Sequence, residues 1–203
     1  TIIGQGEPGI GKSSMLKVLQ KQYPEYEVAY IDCTLLDLGD FALPYTEAVD
    51  NELTSVNKVT KFAPNARFKM HTGRPVIVML DEIGKAMKAV KNVLLTLMLE
   101  HRIGDHYLPE GSIVFATGNL ALEGVSDMLE AHARNRLCVV KVRKPTAMEW
   151  VEQYAIHNNV DPVVIGTVIE FPSMLESFEN VEDPSNNQYI HHPKSPRAAF
   201  VTP

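Results

Sequence analysis

Residues 6 to 13 read G-E-P-G-I-G-K-S, a tight glycine-rich turn that must run directly into a helix. Gly6, Gly9 and Gly11 permit backbone angles and close approaches that a Cβ forbids, so successive N–H groups can surround a polyphosphate. Thr1 to Ile3 supply an apolar strand end before the turn, and an amphipathic stretch follows it. The helix, starting near Lys12, aims its positive dipole end at the same anion. In that arrangement Lys12 reaches the β- and γ-phosphates and the Ser13 hydroxyl sits on Mg²⁺. Glu7, Pro8, Ile10 and Ser14 complete the stretch expected to line the nucleotide.

A loop of this kind needs a carboxylate for the metal and another for water. Val76 to Leu80 are five consecutive apolar residues, the pattern of a parallel strand buried on both faces. Asp81 and Glu82 follow at its C-terminal end, the rim at which ligands lie in open α/β sheets. Asp81 is therefore the expected Mg²⁺ partner, and Glu82 the general base that polarises a water. A second buried strand, I-V-F-A-T-G-N at 113 to 119, brings Asn119 to the same rim, where an amide can orient that water or sense the γ-phosphate.

Between these motifs the chain alternates helices and strands. A helix is expected from about Lys12 to Gln22, a strand over Glu27 to Cys33, and a break at 36 to 41. Tyr45, Ala48, Val49, Leu53 and Val56 recur at helical spacing and predict a second helix. Residues 60 to 75 are basic and turn-rich, with Lys61, Arg67, Lys69, His71 and Arg74, and read first as a solvated loop face. The helix after Glu82 carries Val90, Val93, Leu94, Leu97 and Met98 on one core-facing stripe. Gly104-Asp105 then predicts a small hairpin over 102 to 109. Beyond Pro145, Ala147, Trp150, Val151, Tyr154 and Ala155 mark another helix, and Asp161-Pro162 caps the next. Residues 182 to 196 lack periodicity and read as a mobile loop.

Composition narrows the partners. A hydrophobic share of 45% over 203 residues suits one α/β domain with a small appendage, and no stretch is apolar enough to span a bilayer. With no secretory N-terminus either, the expected location is the cytoplasm. A net charge of −6 argues against unspecific attraction to nucleic acid, leaving direct contact through a local basic stripe open. Cys33 and Cys138 fall in apolar, strand-like runs and read as buried reduced thiols. The seven histidines, His191 and His192 included, read as surface or loop residues without convincing metal spacing. Thr1 stands so close to the glycine-rich turn that the chain reads as trimmed at its front.

The order of phosphate loop, D-E strand, hairpin, T-G-N strand and then A-H-A-R-N-R-L at 131 to 137 resembles the AAA+ ATPases. The stretch from Leu95 to Asn119 is most similar to their MoxR-like and dynein-related branch. That resemblance implies a P-loop NTPase three-layer sandwich with a five-stranded parallel sheet, order 5-1-4-3-2, over residues 1–144, and a partial helical lid over 145–203. It also implies ATP and Mg²⁺ as cofactors, adenine over guanine, and a homo-oligomeric ring, commonly of six subunits, with ATP at the subunit interfaces. By the same resemblance Gly6, Gly11, Lys12 and Ser13 match the first Walker motif, Asp81 and Glu82 the second, and Asn119 the first sensor. Arg136 matches the arginine finger that would act on a neighbouring subunit's nucleotide, with Arg134 the second candidate. The second-sensor arginine expected on the lid has no assigned match; Arg197 sits in a loop-like S-P-R context, and the chain stops at Thr202-Pro203. The implied activity is Mg²⁺-dependent ATP hydrolysis coupled to remodelling a protein or nucleoprotein client. Alternatives are an ATP-dependent assembly module with little hydrolysis, or a loader or helicase-like motor of DNA replication or repair.

Overall fold

The computed structural model describes residues 1–48, 58–119, 136–195 and 199–203. In chain order these form β1 (Ile2–Gln5), α1 (Ser14–Gln22), β2 (Glu27–Asp32), β3 (Ala42–Ala48), β4 (Lys58–Pro64) and β5 (Val76–Asp81). There follow α2 (Lys88–Glu100), β6 (Arg102–Ile103), β7 (His106–Tyr107), β8 (Ile113–Gly118), β9 (Cys138–Lys141), α3 (Ala147–Trp150) and α4 (Pro162–Glu170). Five strands make one parallel sheet in the order β2-β5-β8-β1-β9. Counting only these parallel strands along the chain, the order is 5-1-4-3-2. Because β8 lies between β1 and β5, three C-terminal strand ends stand side by side: the one that enters the phosphate loop, the one that ends near Asn119, and the one that carries Asp81.

The central strands β5 and β8 are buried on both faces, and β5 shows why its sequence is unbroken apolar. Val76, Val78 and Leu80 pack in one cluster with Val90, Leu94, Leu97 and Met98 of α2. Ile77 and Met79 point the other way, toward Leu16 of α1 and Phe115. The period-2 alternation of a strand thus feeds two cores, and each fully buried side chain contributes about 1.5–3 kcal/mol relative to exposure. Helix, sheet and helix form three layers, as the motif order implies. Among the described residues no helix is long and apolar enough to cross a membrane.

Two expectations fail here. The helix predicted across Tyr45 to Val56 is a β-ribbon where it is described: β3 pairs antiparallel with β4 from Ala42↔Pro64 to Ala48↔Lys58, and residues 49–57 lie outside the described residues. Pro44 and the β-branched Thr46, Val59 and Thr60 suit extended backbone, and the ribbon is anchored at its base, where Phe41 stacks on the buried Phe68. Of the residues at helical spacing, Tyr45 and Ala48 lie on this ribbon and are exposed, while Val49, Leu53 and Val56 lie outside the described residues. The second failure is Cys138. Cys33 is buried as expected, its thiol pushed up to about 12 by burial and by the Asp32, Asp81 and Glu82 charges, but Cys138 lies exposed on β9, the outermost strand beyond β1.

The basic residues of 60 to 75 are largely spent on local partners. Lys61 pairs with Glu47 at 2.6 Å, Arg67 with Asp40 at 3.0 Å, and Arg74 with Glu27. The hairpin over 102 to 109 is present as β6 and β7, with Gly104 at positive φ in its turn.

The C-terminal residues build a separate small core from Ala147, Trp150, Val151, Ala155, Val168 and Leu175. α3 runs on through a π-helical turn, Val151–Ala155, and Asp161 caps α4 by accepting from the Val163 N–H at 2.8 Å. Residues 182 to 196 are irregular where described, yet tied down: Ile190 is fully buried, and the His191 ring sits between Phe178 and Phe200.

α3 starts from a reciprocal cap between Thr146 and Glu149, and Arg143 grips the Glu149 carboxylate with two hydrogen bonds of 2.6 and 2.7 Å. Arg143, then the Thr146 N–H, hold this carboxyl down at about 2 against an ordinary 4.5. A depressed acid stabilises fully above its unfolded value and loses that contribution as pH falls through its folded value. The Glu149→Gln variant is therefore expected to be less stable than the parent at neutral pH. Denaturation followed across pH should show the gap closing as pH drops from 4.5 to about 2.

Candidate functional site

The loop after β1 is held by its glycines for two separate reasons. Gly9 and Gly11 take φ of +77° and +87°, the left-handed region that side chains resist. Gly6 is needed for space: a Cβ there would stand 2.6 Å from the Val142 carbonyl oxygen and 2.4 Å from Ile10. The loop closes with the Ser14 N–H on the Gly11 carbonyl, and α1 begins at Ser14, two residues later than the sequence suggests. Ser13 occupies the N-cap position without capping, because its hydroxyl donates to Asp81 Oδ2 at 2.9 Å instead.

Lys12 is buried at 8% exposure, and its ammonium donates to the Gly6 and Glu7 carbonyls at 3.0 and 2.7 Å and to Asn119 Oδ1 at 3.1 Å. The Asn119 amide then donates from Nδ2 to Glu82 Oε2 at 3.1 Å. Its orientation is fixed chemically, since an ammonium only donates and a carboxylate only accepts. Lys85 lies 3.2 Å from the same Glu82 oxygen. Glu82 itself sits at φ 53°, ψ 38°, a left-handed conformation that costs a non-glycine residue about 1–3 kcal/mol and turns its side chain out of the strand line.

Asp81 accepts four hydrogen bonds at this rim. Its Oδ2 accepts from Ser13 and from Tyr30 at 2.8 Å, and its Oδ1 from the Thr117 hydroxyl and the Glu82 N–H at 3.1 Å. Burial pushes the carboxyl up, but the Thr117, Tyr30, Ser13 and Glu82 hydrogen bonds outweigh it and hold Asp81 below its ordinary value. Partial burial and the bond to Asp81 push the Tyr30 phenol up to about 12, so it stays a proton donor. A hydroxyl and an ionised carboxylate converging on one point are hard oxygen donors of the kind that suit Mg²⁺.

The structure therefore brings Gly6, Lys12, Ser13, Asp81, Glu82 and Asn119 to one rim. Arg136 is not among them. It is exposed in the turn just before β9, whose Cys138 lies opposite Ile2 at the start of β1, so it belongs to the opposite rim from its own phosphate loop. Arg134 and Arg197 lie outside the described residues.

Several site residues escaped the sequence reading. Thr117 stands two residues before Asn119 and faces the carboxylate by strand alternation, a signal that was available. Tyr30 gave none, since only the β2–β5 register, with Asp32 opposite Asp81, brings it there. Glu7 was expected in the loop, but its burial there and its partner, the Ser177 hydroxyl that donates to it, were not. The buried Lys144 ammonium donates to the Glu176 and Val201 carbonyls, and Thr202 packs against Gly9, so the C-terminal residues lean on the phosphate loop. Beside the loop a recess of about 290 Å³ is lined by Ile10, Gly11, Ser14, Pro145, Trp150 and Tyr154. The Trp150 indole N–H is buried with no hydrogen-bond partner among the described residues.

A family model described as "ATPase family associated with various cellular activities (AAA)" matches residues 2–143. Among curated proteins none matches. Among solved structures, a point mutant of Thermotoga maritima RuvB superposes with a TM-score of 0.47 at 13% identity, covering 78% of this chain. The chain spans 44% of that protein's length. With the match running from β1 through β9, the chain belongs to the AAA family of ATPases.

Proposed function

We propose that the chain binds ATP with Mg²⁺ and hydrolyses it at this rim. The observation that carries the reading is the pairing of two hydrogen-bonded chains: Lys12 to Asn119 to Glu82, and Ser13 to Asp81. The first joins a phosphate-binding cation to a carboxylate through one amide, so a γ-phosphate and an attacking water have their partners in line. In it Gly6 to Ser14 cradle the phosphates, Glu82 takes the proton of the water, and Asn119 orients that water. Ser13 and Asp81 are the residues that would hold Mg²⁺, which when bound neutralises charge on the β- and γ-oxygens. The recess beside Ile10 and Trp150 suits the base and ribose.

The division into a core over 1–144 and a lid over 145–203 belongs to the same proposal, supported by the separate C-terminal core and by its contacts with the loop. So does membership of the MoxR-like and dynein-related branch, with a ring in which Arg136 reaches a neighbour's nucleotide. The exposed position of Arg136, on the rim away from its own loop, favours action between subunits. A protein client is favoured over nucleic acid, because Lys61, Arg67 and Arg74 are engaged by Glu47, Asp40 and Glu27.

The test is ATP turnover per subunit over a wide range of protein concentration, for the parent chain and Arg136→Ala. Turnover per subunit is expected to rise with concentration in the parent and to stay about 10³-fold lower in the variant. Equal turnover in both would remove Arg136 from the site, and turnover independent of concentration would remove the ring.

A further inference from the structure

Resting on the reading of Asp81 as a magnesium partner, the geometry points to Tyr30 as a gate on that carboxylate, one that yields Oδ2 when the magnesium–nucleotide complex binds. An ionised carboxylate offers about four lone-pair directions. At Asp81 four donors take them, Thr117 and the Glu82 N–H on Oδ1, Ser13 and Tyr30 on Oδ2. For Asp81 to engage a cation or a water bound to one, a donor must leave.

The four differ in what leaving costs. The Glu82 N–H is backbone, pinned in a left-handed turn. Thr117 is on a central strand at 0% exposure, where a released hydroxyl would meet no water. Ser13 is the other proposed ligand and has to stay. Tyr30 is on the edge strand β2 and is 52% exposed as a residue, so its hydroxyl exchanges Asp81 for water at little cost. Before loading, the phenol holds the carboxylate in place and neutralises part of its field; on loading, Tyr30 swings outward and leaves Oδ2 open. Tyr30 is thus a positioning residue that sets how much magnesium the site requires.

The test is a magnesium titration of nucleotide affinity, read as binding of a fluorescent ATP analogue, for the parent and Tyr30→Phe. Without the competing hydroxyl, the magnesium concentration at half effect should fall about three- to tenfold, while affinity in EDTA is unchanged. A midpoint that is unchanged or higher overturns the gate. No magnesium effect in the parent itself would overturn the reading of Asp81 on which the gate depends, so the two failures are distinguishable. Should the variant fold poorly, nitration of Tyr30 in the parent, mapped by mass spectrometry, gives the same answer. It should be faster with nucleotide and magnesium than with nucleotide and EDTA, and equal rates contradict the gate.

Discussion

Glu82→Gln is expected to lower ATP turnover by about 10²- to 10⁴-fold while leaving ATP affinity within a few-fold of the parent. The amide keeps the shape of the side chain but loses the lone-pair basicity that takes a proton from water. It also keeps a carbonyl oxygen for the Asn119 Nδ2 donor, so the chain from Lys12 through Asn119 stays linked. Binding should survive because Glu82 touches neither the glycine-rich turn nor Ser13 among its described hydrogen bonds. Pre-steady-state phosphate release, together with equilibrium binding of a labelled nucleotide, separates the two quantities. A variant that binds as tightly and turns over as fast as the parent removes Glu82 as the base. One that loses binding as well assigns it a structural part in the loop instead.

Lys12→Ala should act the other way round, weakening ATP binding itself by about 10- to 100-fold, the size of one lost charge-assisted hydrogen bond. The buried ammonium is the one cation seen against the loop carbonyls of Gly6 and Glu7 among the described residues. Its removal costs twice: the phosphate loses a positive partner, and two inward-facing carbonyls and the Asn119 amide lose their donor. Some loop loosening is therefore part of the effect, and melting of the nucleotide-free variant measures that part. Calorimetric titration with ATP gives the affinity. Unchanged affinity would mean that phosphate is held by backbone N–H groups alone.

The site was legible in the sequence to the extent that its chemistry is local. The glycines, Lys12 and Ser13 all fall within residues 6 to 13, and their geometry follows from a turn that needs glycine at its left-handed and crowded positions. Asp81, Glu82 and Asn119 could be placed on one rim because a buried strand ends where its apolar run stops, and parallel strands end on one rim. What escaped depends on pairing at long range. Tyr30 reaches Asp81 only through strand register, and Ser177 reaches Glu7 across 170 residues. The β3–β4 ribbon was misread for a different reason. Its described pairs run only from Ala42↔Pro64 to Ala48↔Lys58, and a few exposed apolar residues such as Tyr45 carry no period that tells a ribbon from a helix. The left-handed turn at Glu82 left no mark either, since no glycine announces it.

The central claim is that these three strand ends form a hydrolytic site. It is tested most directly by steady-state phosphate release from ATP at high protein concentration, with and without EDTA, beside Glu82→Gln as the blank. The account predicts release that needs magnesium and disappears in the variant. Release of equal size from both proteins, or release untouched by EDTA, would contradict it.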